Sequence, residues 1–265
     1  MTGSLVRLED VCVDYGGVRA LDMASFEIRP GEIVGVVGES GSGKTTALKA
    51  MMGLAPVASG EVFFDGEKIT RLRSAARRRV WRDMQMVFQD PSASLSPHQS
   101  LGASIAEPMI AHGEARSAAL DRSRKLLDLV GLDRDMADRR PDALSGGQRQ
   151  RVAIARALAL SPRLIVADEP MSALDVSVKA QIAGLFSDLR TRLGSAFLIV
   201  SHDLALISNI ADRIIVMKDG RIVEEGPAAD VIGSPTQPYT RRLRAACLDP
   251  QAVVRERFGE AETQP

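Results

Sequence analysis

The sequence predicts an α/β domain built on a mostly parallel core sheet flanked by helices, with an antiparallel β subdomain and a helical subdomain attached. Three observations predict it. Residues 33–37, 164–167, 196–200 and 214–217 are short, β-branched, uninterrupted apolar runs, the pattern of strands buried on both faces. A helical stretch over 176–193 separates two of them, and strand, helix, strand in succession argues for parallel pairing. Residues 5–15 and 60–65 instead alternate apolar with polar, as half-buried antiparallel strands do.

Taken in order, Val11, Val13 and Tyr15 alternate with Asp10, Cys12 and Asp14, and Gly16-Gly17 then turns the chain. A second extended stretch reaches 28, Pro30-Gly31 punctuates, and the strand at 33–37 runs into a glycine-rich loop. A helix is expected over 45–53, then the strand at 60–65 ending in an Asp65-Gly66 turn. Residues 101–160 carry helical periodicity, for example Leu120, Arg124 and Leu127, with breaks expected at Pro108, Gly113, Gly131 and Pro141. Lys218-Asp219-Gly220-Arg221 reads as a hairpin, and the tail after Gly259 is polar and expected to fray. The arginine run from Arg71 to Arg82 could face a membrane or a partner, but the favoured reading is a solvated helix face.

Composition narrows the classes of function. The 34 basic and 34 acidic side chains cancel, so nothing in the balance points to a nucleic-acid partner. Two cysteines far apart in sequence, Cys12 and Cys247, make neither a disulfide framework nor a metal site by themselves. The N-terminal segment lacks the charged start and apolar stretch of a secretory signal, and no apolar run approaches the roughly 20 residues that cross a bilayer. A cytoplasmic protein is expected.

The glycine-rich loop, Gly38-Glu39-Ser40-Gly41-Ser42-Gly43-Lys44-Thr45, fits the P-loop pattern and has a strand before it and a helix after it. Glycines let successive amides curl around phosphate oxygens, the helix N-terminus adds its positive dipole end, Lys44 reaches the β and γ phosphates, and the Thr45 hydroxyl ligates Mg²⁺. The strand at 164–167 delivers Asp168 and Glu169 at its carboxyl end. There Asp168 can hold Mg²⁺ through water and Glu169 can polarise an attacking water.

Leu144-Ser145-Gly146-Gly147-Gln148, just ahead of that strand, resembles the signature motif of the ABC ATPase family, and the resemblance extends over most of the chain. It implies two nucleotide-binding domains sandwiching two ATP molecules, with Ser145, Gly146, Gly147 and Gln148 of one, together with Asp175, reaching the ATP held by the other. Further positions follow one at a time: Tyr15 resembles the aromatic that stacks on adenine, Gln89 the glutamine that touches Mg²⁺ and water, and His202 the histidine that contacts the γ phosphate. Gly38, Ser40, Gly41, Ser42, Gly43, Lys44, Thr45 and Thr46 complete the ATP contacts; Thr45, Gln89 and Asp168 hold Mg²⁺; and Glu169, His202, Gln89 and Lys44 carry hydrolysis. By the same resemblance the ATP-binding core with its β subdomain covers about 5–90 and 160–230, the helical subdomain 91–159, and a C-terminal extension 231–265.

Three stretches narrow the branch: Phe88-Gln89-Asp90-Pro91 through Glu107-Pro108, residues 169–178, and Pro235-Thr236-Gln237-Pro238-Tyr239-Thr240. Together they are similar to the ATPase subunits of oligopeptide, dipeptide and nickel importers, with departures at Gln237, where histidine is more usual, and at Met171. Only Cys247 lies where some members carry a four-cysteine iron–sulfur cluster, so none is expected. The implied partners are integral-membrane permease subunits, a second ATPase subunit of the same or another kind and, indirectly, a solute-binding protein, with the chain peripheral on the cytoplasmic face. An exporter ATPase and a non-transport ABC ATPase acting on DNA or the ribosome stay open as alternatives, although this chain has one set of motifs and no sustained heptads.

Overall fold

The structure, a computed structural model, describes residues 3–72 and 74–248. Strands β1 (Val6–Tyr15), β2 (Val18–Ile28) and β3 (Ile33–Val37) lead to helix α1 (Lys44–Met51). After β4 (Val57–Phe64), β5 (Glu67–Lys68) and α2 (Ser74–Asp83), strand β6 (Met84–Val87) opens a helical passage of α3 (Pro91–Ser94), α4 (Leu101–Ala111), α5 (Arg116–Leu129) and α6 (Gly146–Leu158). Then follow β7 (Leu164–Asp168), α7 (Val176–Leu193), β8 (Ala196–Ser201), α8 (Leu204–Ser208), β9 (Arg213–Lys218), β10 (Arg221–Pro227), α9 (Ala228–Gly233) and α10 (Pro238–Leu248).

Two sheets result. The larger has the order β10-β9-β3-β8-β7-β6, parallel throughout except for β10, which returns antiparallel on β9 through the hairpin at 218–221. The smaller, β2-β1-β4-β5, is antiparallel. Period two explains why the parallel strands are apolar at every position. Ile33, Val37, Ile165, Ala167, Phe197 and Ile199 enter a core with α6 and α7, where Phe186 and Phe197 meet edge to face at 5.7 Å. Val34, Val36, Leu164, Val166, Leu198 and Val200 point the other way, toward α1 and the small sheet. Gly35 has no side chain because α8 lies there: a Cβ would stand 2.1 Å from Cγ2 of Ile207.

Several expectations are corrected. Cys12 is buried although it alternates with the core residues Val11 and Val13: it packs against β2, where its sulfur accepts from the Met23 amide at 3.2 Å. Pro108 does not break its helix and lies inside α4. The strand β6 was not anticipated: four residues between a basic helix and a loop carry too little pattern. Of the arginine run, the part from Ser74 on is helical, as the favoured reading expects: in α2 Arg79 pairs with Glu67 at 2.6 Å and the Arg77 guanidinium lies 5.8 Å from the Trp81 ring. The side chain of Cys247 and the tail after Gly259 lie outside the described residues. Among the described residues, no helix is long and apolar enough to cross a membrane.

Candidate functional site

Parallel pairing brings the carboxyl ends of β3, β7 and β8 to one rim of the larger sheet, and the loops that leave those ends carry the chemistry. From β3 the chain passes so close to β9 that a Cβ on Gly38 would sit 2.2 Å from the carbonyl of Met217. The loop closes at Gly43, whose left-handed φ of 99° starts α1. Lys44 is almost fully buried, and its ammonium donates to the carbonyls of Gly38 and Glu39 at 2.8 Å each and to Ser42 Oγ at 3.4 Å. Burial pushes its pKa down, opposed by the carboxylates of Glu169, Asp168 and Glu39. The first amides of α1, at Lys44, Thr45 and Thr46, begin a helix with no acidic residue in its first turn, which suits an anion.

Asp168 ends β7, is 7% exposed, and accepts a hydrogen bond of 3.0 Å from Thr45 Oγ1. Burial pushes its carboxyl above the usual carboxylate range. Glu169 follows in a left-handed conformation, φ 45°, that a glutamate adopts only under constraint; its amide donates to the carbonyl of Val200 at 2.9 Å. The turn aims its carboxylate at His202, just beyond β8, with Nδ1 to Oε2 at 3.1 Å.

Most of these groups line a cavity of about 640 Å³. Its wall includes the sequence-predicted Ser40, Gly41, Ser42, Gly43, Lys44, Thr45, Thr46, Gln89, Glu169 and His202. Gly38 and Asp168 stand behind it, bonded to Lys44 and Thr45 respectively. Tyr15 does not line it; the ring is 43% exposed and pairs across the turn with Val18, which does. Val18, Arg19, Ala20, Asp219 and Gly220 also form the wall and were missed. Both groups flank turns that the sequence announces, Gly16-Gly17 and Asp219-Gly220, but nothing local shows that the two turns meet. Arg19 is clamped there by Asp14 at 2.5 Å and Asp22 at 3.0 Å.

Ser145, Gly146, Gly147, Gln148 and Asp175 are absent from this wall. Ser145 caps α6 in a reciprocal capping box: its Oγ accepts from the Gln148 amide and Gln148 Oε1 accepts from the Ser145 amide, at 3.3 and 3.0 Å. The spacing Ser-x-x-Gln announces this arrangement, which gives Gln148 a local task. Asp175 occupies the N-cap of α7 without a side-chain capping bond. Ser145, Gly146 and Asp175 are all exposed.

The hydroxyl, amide and carboxylate oxygens of Thr45, Gln89 and Asp168 are donors suited to a hard cation such as Mg²⁺. Among the described residues, no group of three or more His, Cys, Asp or Glu could hold a metal ion. Because burial disfavours the Asp168 carboxylate, its penalty is fully present above the raised pKa and relieved as pH falls through it. Asp168→Asn keeps an acceptor for Thr45 and is expected to stabilise the ligand-free fold by about 1 kcal/mol at pH 7. The gain should shrink on acidification, as read from melting temperatures.

Comparison with known proteins gives consistent relatives. The family described as "ABC transporter" matches residues 21–172. A glutathione import ATP-binding protein of Pectobacterium atrosepticum is 47% identical over 90% of this chain, and 39% of that protein is covered. This chain thus spans about two fifths of that relative's length. A putative peptide import ATP-binding protein of Brucella ovis is 46% identical over 90% of this chain and 75% of its own length. Among solved structures, a dimeric ATP-binding cassette in a post-hydrolysis state, bound to ADP and Pi, aligns with TM-score 0.76 and 33% identity over 84% of this chain and 98% of its own.

Proposed function

The chain belongs to the ABC transporter family, and from that premise we propose that it binds and hydrolyses ATP to energise the import of peptides or a related small solute through separate membrane subunits. The observation that carries the reading is the joint placement of the buried Lys44, the Thr45–Asp168 hydrogen bond and the Glu169–His202 pair about a single cavity. A P-loop alone would support nucleotide binding. A carboxylate beside Asp168, held by a strained turn, supports hydrolysis.

In this reading the amides of 40–46 and the Lys44 ammonium bind the phosphates, and Tyr15 stacks on the base beside Val18. Thr45, Asp168 and Gln89 would hold Mg²⁺, whose chemistry is to neutralise charge on the β and γ oxygens. Glu169 orients and polarises the attacking water, and His202, bonded to Glu169, contacts the γ phosphate. Ser145 and Gly146, exposed at the start of α6 and outside the chain's own cavity, serve the ATP of a second ATPase subunit. Asp175 and Gly147 face the same junction, with Gln148 as the brace of the Ser145 cap. The ATP-binding core is then 5–90 with 160–230, the helical subdomain 91–159, and the C-terminal extension from 231.

The names of the relatives favour import of peptides, glutathione being itself a peptide. Affinity purification of the chain from its native membranes tests this. Two permease proteins should accompany it, and the complex should hydrolyse ATP faster when a solute-binding protein loaded with peptide is added. An ATPase that recovers no membrane protein would overturn the transport role.

A further inference from the structure

The segment Pro235 to Thr240 reaches back to the phosphate loop. Tyr239, 6% exposed at the start of α10, accepts a hydrogen bond of 3.0 Å on its hydroxyl from the amide of Glu39, two hundred residues away in sequence. Its ring lies 5.4 Å from the Lys218 ammonium at the end of β9. The preceding turn is strapped to β10, because the Glu224 carboxylate accepts from the Thr236 amide at 2.7 Å, the Thr236 hydroxyl at 2.8 Å and the Gln237 amide at 3.2 Å. The helix α10 also packs on α8, which follows His202.

The amide that Tyr239 holds belongs to the same peptide unit as the Gly38 carbonyl, which accepts from the Lys44 ammonium at 2.8 Å. A peptide is planar, and in the trans form its N–H and C=O point in opposite directions. Anchoring the Glu39 N–H on one side therefore fixes where the Gly38 oxygen points on the other. Glycine at 38 would otherwise leave that plane free to rotate.

We infer that Tyr239 is a positioning residue: by holding the Glu39 amide it fixes the peptide that seats the Lys44 ammonium, and so tunes the site for polyphosphate. The inference rests on the nucleotide-binding reading above. It makes the C-terminal segment part of the phosphate site although Tyr239 does not line the cavity.

The test is calorimetric titration of the full chain with MgATP and, separately, with AMP, which lacks the phosphates that Lys44 reaches. Tyr239→Phe keeps the ring and deletes the hydroxyl. It should weaken MgATP binding roughly three- to tenfold, the worth of one net hydrogen bond, and change AMP binding less than about twofold. Equal MgATP affinity in the variant, or an equal loss for both ligands, would overturn the assignment, the second because a general loosening would not single out the outer phosphates. Should Tyr239→Phe fail to fold, Glu224→Ala carries the test: releasing the strap should produce the same selective loss, about twofold or more. A folded Glu224→Ala with unaltered MgATP affinity would then overturn it. If the wild-type chain itself does not bind MgATP, the nucleotide reading falls; if it binds and the variants bind alike, only the role of Tyr239 falls.

Discussion

Glu169→Gln is expected to lower the ATP hydrolysis rate about 10²- to 10⁴-fold while leaving ATP affinity nearly unchanged. The substitution keeps the side-chain shape and an oxygen that can face His202, but removes the base that polarises water. In the proposed reading the phosphates are held from the loop and α1 rather than from β7, so binding should survive. Blocked hydrolysis should also leave a closed ATP-bound dimer, with Ser145 and Gly146 of each copy on the other's nucleotide. Gel filtration with and without MgATP reads that dimer, and a phosphate-release assay reads the rate. Wild-type hydrolysis would remove Glu169 from catalysis. Lost hydrolysis without a dimer, even with a second ATPase subunit present, would remove the sandwich.

The second large effect is on binding. Lys44→Ala should weaken MgATP by about 10²-fold or more, since each charge-assisted hydrogen bond to phosphate is worth about 1.5–3 kcal/mol and the proposed role has the ammonium reach two phosphates. The fold should tolerate the change, because burial already disfavours the ammonium that is removed. Calorimetry on a variant with an unaltered circular dichroism spectrum decides it, and an undiminished affinity would refute the assignment.

Much of this was legible in the sequence for physical reasons. Strands buried on both faces must be apolar at every position, and glycines at 38 and 43 leave no room for a Cβ, so β3, the loop and β7 announce themselves locally. What was hidden depends on approach between distant segments. The bulge at Asp10 brings Leu8 and Val11, three apart, to the same core, and no alternation reveals a bulge in advance. The turn beside Val18 and the hairpin at Asp219 form one wall because β10 folds back beside the small sheet, where Arg221 pairs with Asp22 at 2.5 Å. The left-handed backbone at Glu169 is imposed by its bond to Val200 on a neighbouring strand. Tyr239 could be singled out as part of a motif, but not as a ligand of the Glu39 amide.

The order of strands has a kinetic consequence for synthesis. Among the described residues β3, which leads into the glycine-rich loop, is paired by residues 197–201 of β8 and 213–216 of β9, both emerging long after it. A nascent chain elongating at about 5–20 residues per second holds this apolar segment unpaired for on the order of ten seconds or more. During that interval Ile33, Val34, Val36 and Val37 form a sticky strand with no partner of their own, the condition that invites misassembly or chaperone capture. The phosphate loop therefore takes shape late, once most of the described chain has left the ribosome, and its assembly is governed by distant contacts rather than by the loop's own glycines.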